Sequence, residues 1–74
     1  MDELELKELV DVVFKTLGTC KLIDISLWVC VRHYGKTYQQ LSDQTAISPA
    51  DIALRVEYVD KQLQRKVQAY IQQP

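Results

Sequence analysis

Apolar residues in the first seventeen positions recur at steps of three and four, which is the spacing of one face of an α-helix. Acidic residues fill the first turn of this segment, where the helix dipole favours negative charge, and Gly18 supplies a stop. The pattern predicts a helix over 2–17. Leu4 and Val12 lie off the main stripe, so the helix has apolar surface for a second partner. The stripe itself consists of Leu6, Leu9, Val10, Val13, Phe14 and Leu17.

The next segment contains many β-branched residues and is similar to a strand over part of its length. Two features favour a helix instead. Arg32 and His33 followed by Gly35 are typical of a helix C-terminus, and no pairing strand is evident in so short a chain. The sequence therefore predicts a second helix over 22–34.

Two capped helix starts follow, eleven residues apart. Thr37 with Gln40 three residues later forms a capping box, and Ser48 followed by Pro49 marks a second start. The interval leaves room for one short helix, over 38–45. This spacing is typical of a helix-turn-helix motif, here 37–57, in which two helices cross steeply and share one apolar core. The apolar residues in phase for that core are Leu41, Ile47, Ile52 and Val56.

No helix breaker occurs between Pro49 and Pro74, so the sequence predicts a long helix over 49–72. A helix of about 24 residues is about 36 Å long, which is more than a domain of this size requires. Its second half is predicted either to pack back on the first helix or to meet a second copy of the chain. The apolar seam that would make this contact consists of Val59, Leu63, Val67, Tyr70 and Ile71.

These elements predict an all-α protein, a small four-helix domain spanning 1–74 with a helix-turn-helix and a long C-terminal helix. Seventy-four residues are close to the lower limit for a single core without disulfides or metals. We expect that core to be centred on Trp28. Around it we expect the four apolar residues of the motif and, from the first helix, Val10, Val13 and Phe14.

Composition narrows the possible functions. No apolar run approaches the roughly 20 residues of a membrane span, and the acidic N-terminus lacks the basic flank of a signal peptide, which indicates a cytoplasmic protein. Cys20, Cys30 and the single His33 lack metal-ligand spacing, so we expect no metal, no cofactor and unpaired thiols. His33 has no nucleophile motif beside it, so we expect no enzyme activity.

The motif resembles two groups of DNA-binding proteins. Residues 35–42, with Ile47 and Ser48 and then Ile52, Arg55 and Val56, are similar to the helix-turn-helix of bacterial sigma factor region four. There a Thr-Tyr pair opens the first helix, an Ile-Ser pair ends the turn, and an arginine followed by an apolar residue lies in the recognition helix. Residues 29–59 also resemble plasmid-encoded TrfB-type repressors, in which an apolar helix leads into a Gly-Lys turn. The resemblance covers about half the chain and implies a DNA-binding regulator of transcription.

The sequence departs from that pattern in two ways. Ala46 stands where the turn usually has glycine, and it tolerates a left-handed backbone poorly. The recognition-helix face has few of the Arg, Lys, Asn or Gln side chains that read base edges. It consists of Ala50, Asp51, Ala53, Leu54 and Glu57, with Arg55 as the one cation nearby.

The distribution of charge along the chain partly compensates for the shortage of base-reading side chains on this face. The chain carries a net charge of −1, but residues 1–20 hold five acidic and two basic side chains, whereas residues 21–74 hold five acidic and seven basic ones. A thin basic side can therefore form on the part of the chain that contains the motif. Because most DNA affinity comes from phosphate neutralisation, a monomer with so few cations should bind weakly, and a homodimer would double the contacts.

Two functional hypotheses follow. In the first, the chain is a transcriptional regulator that binds duplex DNA as a homodimer. Phosphates would then be contacted by Arg32, Lys36, Tyr38, Gln39 and Gln40, and the major groove by Ser48, Ala50, Ala53, Leu54 and Arg55. In the second, the motif is a scaffold that binds RNA polymerase or another regulator, because an outer face of Ala50, Leu54 and Glu57 suits a protein partner.

Overall fold

The computed structural model describes residues 2–72 and confirms the predicted all-α class. Four helices follow one another: α1 (Glu3–Leu17), α2 (Leu22–Arg32), α3 (Tyr38–Thr45) and α4 (Pro49–Ile71). No strand occurs among the described residues. The largest difference from the predicted bounds is at the end of α2, which stops at Arg32 because His33 and Tyr34 already belong to the turn that leads to Gly35.

Side chains that cap the helix N-termini explain where three of the helices begin. The carboxylate of Asp2 accepts from the backbone N–H of Glu5 at 2.9 Å. At α3 the capping box is complete, since Thr37 Oγ1 accepts from the N–H of Gln40 and the N–H of Thr37 donates to Gln40 Oε1. At α4 the hydroxyl of Ser48 accepts from a backbone N–H three residues later. Each bond satisfies a donor that a helix start would otherwise leave unpaired.

The turn between α3 and α4 has a left-handed residue at Ala46, with φ 62° and ψ 14°. Its N–H donates to the carbonyl oxygen of Ser42 at 2.9 Å and closes the end of α3. The turn therefore keeps the backbone that glycine would favour, although Ala46 carries a Cβ that makes this conformation unfavourable. Among the described residues, Ala46 is the one non-glycine residue with a positive φ.

The apolar core lies between α2, α3 and the first half of α4. Leu27 and Leu41 are 3% exposed, and Ile52 and Val56 are fully buried. Trp28 packs against this core from the side, and its indole N–H donates to the carboxylate of Asp60 at 2.7 Å. The prediction of a core centred on Trp28 is therefore wrong. Successive helix residues point about 100° apart, so Leu27 faces inward while the larger ring lies at the edge.

Helix α1 packs in antiparallel orientation along the second half of α4. The hydroxyl of Tyr70 donates to the carboxylate of Glu8 at 2.7 Å, whereas Thr16, eight residues further along α1, lies beside Lys66. The molecule is elongated as a result, with extents of 45 × 18 × 16 Å.

Half of the residues in the apolar stripe of α1 are not covered by this contact. Val10 is 42% exposed and Phe14 is 67% exposed, so their predicted place in the core is wrong, while Val13 is half-buried. The apolar residues of α1 extend over more of its surface than the single helix α4 covers.

Candidate nucleic-acid interface

The helix-turn-helix presents its outer surface through the start of α3 and the first turns of α4. Gln39 and Gln40 on α3 are exposed, as are Ser48 and Ala50 at the start of α4. Leu54 projects one turn further along α4 and is 66% exposed. These five of the ten predicted contact residues are therefore accessible to solvent on the motif. Ala53 lies beside them and is half-buried.

The turn before α3 contributes Lys36, and the first residue of α3 contributes Tyr38. Lys36 is half-buried, and its backbone N–H donates to the carbonyl oxygen of Cys30 at 3.0 Å. Tyr38 packs against the apolar core and is also half-buried. A hydroxyl at the surface with a buried ring is the usual arrangement for tyrosine, and it leaves the oxygen available to a ligand.

Arg55, the predicted cation of the recognition helix, is held within the chain. Its Nη1 donates to Asp24 Oδ1 at 2.8 Å, and its Nε donates to Asp51 Oδ2 at 3.3 Å. The hydrogen bonds that Arg55 donates to Asp24 and then to Asp51 raise its pKa above the usual value. The Arg55–Asp24 pair connects α4 to the start of α2. Because Asp24 is only 7% exposed, the pair also supplies a partner for a carboxylate that would otherwise be buried alone.

Arg32 is paired in the same manner on the other flank of α4. Its guanidinium donates to both carboxylate oxygens of Asp60, which also accepts from the indole of Trp28. Desolvation alone would raise the pKa of Asp60, but the hydrogen bonds from Arg32 and Trp28 outweigh it and hold that pKa below its usual value. Asp60 and Arg55 are five residues apart on α4 and hence about 140° apart around the helix. The structure therefore does not bring the two arginines to one surface.

Lysines supply the cations that remain unpaired near the motif. Within residues 2–72, none of the ion pairs involves Lys21, Lys36 or Lys61. Sequence reasoning missed two of these three as candidate contacts. Lys61 follows Leu54 by seven residues and so shares its face of α4, a signal that was readable. Lys21 lies at the end of the turn between α1 and α2, and the fold places this turn beside the recognition helix. No local sequence pattern could reveal that.

An apolar ridge occupies the middle of the outer face of α4. Leu54 and Tyr58 are four residues apart and are 66% and 48% exposed. With Lys21 and Arg55 they line a shallow groove between α4 and the turn after α1. Exposed leucine beside tyrosine is more typical of a protein contact than of a surface that reads base edges.

The predicted apolar seam of α4 lies largely inside the chain. Val59 is fully buried, and Leu63, Val67 and Tyr70 are half-buried on the side that faces α1. Ile71 is 68% exposed. Of the two arrangements considered from the sequence, the structure has the one in which α4 packs back on the first helix.

Other kinds of site find little support in residues 2–72. No group of three or more His, Cys, Asp or Glu side chains in that range is arranged to hold a metal ion. Cys20 and Cys30 are half-buried and unpaired, as the sequence predicted. No helix in the same range combines the length and hydropathy needed to cross a bilayer.

Comparisons with family models, with curated proteins and with solved structures find no match to this chain. The fold and the geometry of the motif therefore carry the functional argument alone.

Proposed function

We propose that this chain is a small cytoplasmic regulator of transcription, without catalytic activity, that binds duplex DNA as a homodimer through α3 and the first turns of α4. The observation that carries the proposal is the geometry of the motif. Two capped helices joined at a left-handed Ala46 leave the start of α4 exposed, and Gln39 and Gln40 are exposed at the start of α3. A helix start presented in this manner is the element that helix-turn-helix proteins insert into the major groove.

The side chains at that surface suggest how each would contribute. Ser48 and Ala50 are small enough to let the backbone approach the groove floor, and Leu54 with Ala53 can contact thymine methyl groups. Gln39 and Gln40 can donate to phosphates at one edge of the groove. The expected specificity is modest, because only apolar contacts and short hydroxyls face the bases.

Because both arginines are paired with carboxylates, they contribute little to phosphate binding in this proposal. Arg55 and Arg32 pair with three carboxylates, those of Asp24, Asp51 and Asp60, so these two clusters together retain one negative charge. Phosphate contacts then fall to Lys36, with Lys21 and Lys61 as further candidates, so the two arginines act chiefly in holding α2 against α4. Weak binding that depends steeply on salt is the expected behaviour.

Fluorescence anisotropy with a labelled mixed-sequence duplex, measured over a series of salt concentrations, tests this proposal. Lys36→Ala should weaken binding about equally for all sequences and lower the slope of log affinity against log salt by roughly one unit for each of the two subunits. Lys66→Ala is the matched control, because it removes the same charge from an exposed site on α4, about 26 Å beyond the start of that helix.

An equal loss in the two lysine variants would mean that DNA is held by general charge attraction rather than by the motif. An absence of binding at low salt would overturn the proposal. Circular dichroism of both variants checks that each remains folded.

A second candidate function rests on the apolar ridge. Leu54 and Tyr58 are exposed at the centre of the face that should meet DNA, and Glu57 beside them is exposed as well. This favours a regulator that binds a protein, with RNA polymerase or another transcription factor as the candidate partner. Binding to purified RNA polymerase separates the two functions: under this second hypothesis Leu54→Glu should abolish it, whereas Lys36→Ala should leave it unchanged.

A further inference from the structure

The shallow groove between α4 and the turn after α1 combines an apolar wall with charged groups of both signs. Its volume of about 380 Å³ lies in the range of sites that hold small molecules. The residues that line it are Thr19, Lys21, Asp24, Leu54, Arg55 and Tyr58.

The carboxylate of Asp24 has one oxygen in use and one that remains open. Oδ1 accepts from Arg55 Nη1 at 2.8 Å, and no hydrogen bond within residues 2–72 reaches Oδ2. In the same range, no side-chain oxygen or nitrogen is both enclosed and without a partner, so Oδ2 is accessible to solvent. Because Asp24 is 93% buried and lines the groove, a donor can approach Oδ2 from there. An ionised carboxylate only accepts hydrogen bonds, so this oxygen suits an ammonium group.

Lys21 supplies the opposite charge three positions before Asp24. Its side chain is exposed, and it takes part in none of the ion pairs that occur within residues 2–72. Although Lys21 is the N-cap residue of α2, its side chain makes no capping hydrogen bond. Its ammonium group is therefore available to a carboxylate in the groove.

The charges around the groove balance one another. Lys21 and Arg55 face Asp24 and also Asp51, which accepts from Arg55 Nε at 3.3 Å. Glu57 is two residues from Arg55 and hence about 160° away from it around α4, on the other flank. A ligand with one positive and one negative group therefore complements the groove better than a net anion or a net cation does.

We propose that this groove binds a free α-amino acid with an apolar side chain. The α-ammonium group donates to Asp24 Oδ2, and the α-carboxylate lies against the ammonium group of Lys21. The apolar side chain packs on Leu54 and Tyr58, which are 66% and 48% exposed. This ligand site goes beyond the proposed function, and its tests contain no DNA, so either proposal can fail without the other.

An NMR titration of the wild-type chain at neutral pH tests which groups of the ligand are recognised. The groove is shallow and the ligand small, so L-phenylalanine should bind with a dissociation constant in the millimolar range. It should move the amide signals of Thr19, Lys21, Leu54 and Tyr58 in a saturable manner.

Three analogues of L-phenylalanine each lack one part of it. The first, 3-phenylpropanoate, has no ammonium group, and the second, 2-phenylethylamine, has no carboxylate. Each should bind about tenfold more weakly or worse, because each loses one charge-assisted hydrogen bond. Glycine, which keeps both charges and has no side chain, should also bind more weakly. An analogue that binds as well as L-phenylalanine, or an absence of saturable shifts with L-phenylalanine at about 20 mM, would overturn the proposal.

Lys21→Ala tests the carboxylate contact within the protein. It should weaken the binding of L-phenylalanine about tenfold and should not weaken that of 2-phenylethylamine, which has no carboxylate. Lys61→Ala is the matched control, because it removes an exposed lysine that does not line the groove. The ammonium contact is tested by the analogues, since substitution of Asp24 would also release Arg55. An unchanged affinity for L-phenylalanine in Lys21→Ala, or an equal loss in Lys61→Ala, would contradict the assigned role of Lys21.

Discussion

The two halves of α4 differ in how completely the rest of the chain encloses them. Its first half is covered by α2 and α3, and Ile52 and Val56 have no exposed surface. Its second half is covered by α1, which leaves much of its own apolar surface in solvent, with Phe14 67% exposed. A single helix cannot be enclosed by one neighbour. The motif half therefore holds the enclosed core of this chain, whereas the α1 half leaves apolar surface exposed to solvent.

The largest expected effect is the loss of stability when a leucine is truncated, which should differ between the two halves. Leu41→Ala removes a side chain that is 3% exposed and should cost about 2–5 kcal/mol, a large share of the stability of so small a domain. Leu6→Ala removes the same atoms from a side chain that is 52% exposed and should cost under about 1 kcal/mol in the monomer. Urea denaturation at low micromolar protein concentration measures both, and equal losses would contradict the comparison.

A smaller effect concerns the Asp60 contacts that hold α2 against α4. Asp60→Asn should cost about 1 kcal/mol at neutral pH, after allowance for the solvent that reaches the pair. Because the folded state depresses the pKa of Asp60, this contribution is complete above the unfolded value near 4 and is lost as the pH falls through the folded pKa.

The difference in free energy of unfolding between wild type and Asp60→Asn should therefore shrink as the pH is lowered below about 4. Asp43→Asn serves as the control, since that carboxylate is exposed on α3 and accepts from Gln39 alone. A difference that stays constant from neutral to acidic pH would exclude this role for Asp60.

An effect of similar size, but of opposite sign, tests the turn of the motif. Ala46→Gly should raise the stability by about 1 kcal/mol, and hence the melting temperature by roughly 4–8 °C, because glycine adopts a positive φ without strain. Ala69→Gly, at an exposed site inside α4, should lower the stability by about 1 kcal/mol. A loss of stability in Ala46→Gly would show that the turn is not left-handed.

Features set by neighbouring residues were predictable from the sequence, and the helix starts show this best. The capping residues Thr37 and Ser48 predicted the first residues of α3 and α4 correctly, because a cap acts over three positions. Features set by distant residues were not predictable. The contact between Asp24 and Arg55 joins residues 31 positions apart, and nothing near either residue signals it.

The exposure of Phe14 was missed for a related reason. Periodicity predicts which face of a helix is apolar, but it does not predict how much of that face a neighbour covers. The same limit applies to the candidate site. The exposed position of Gln39 follows from the local motif, whereas the ion pair that holds Arg55 depends on how α2 packs against α4.

A residue-resolved NMR titration of the chain with a mixed-sequence duplex at low salt tests the central claim most directly, because it observes both halves of the molecule at once. If the motif half binds DNA, amide shifts should be concentrated in residues 36–40 and 48–54, and the amides of Leu6, Val10 and Phe14 should stay unchanged. Shifts centred on α1, or no shifts with duplex in large excess, would contradict the assignment of DNA binding to the motif.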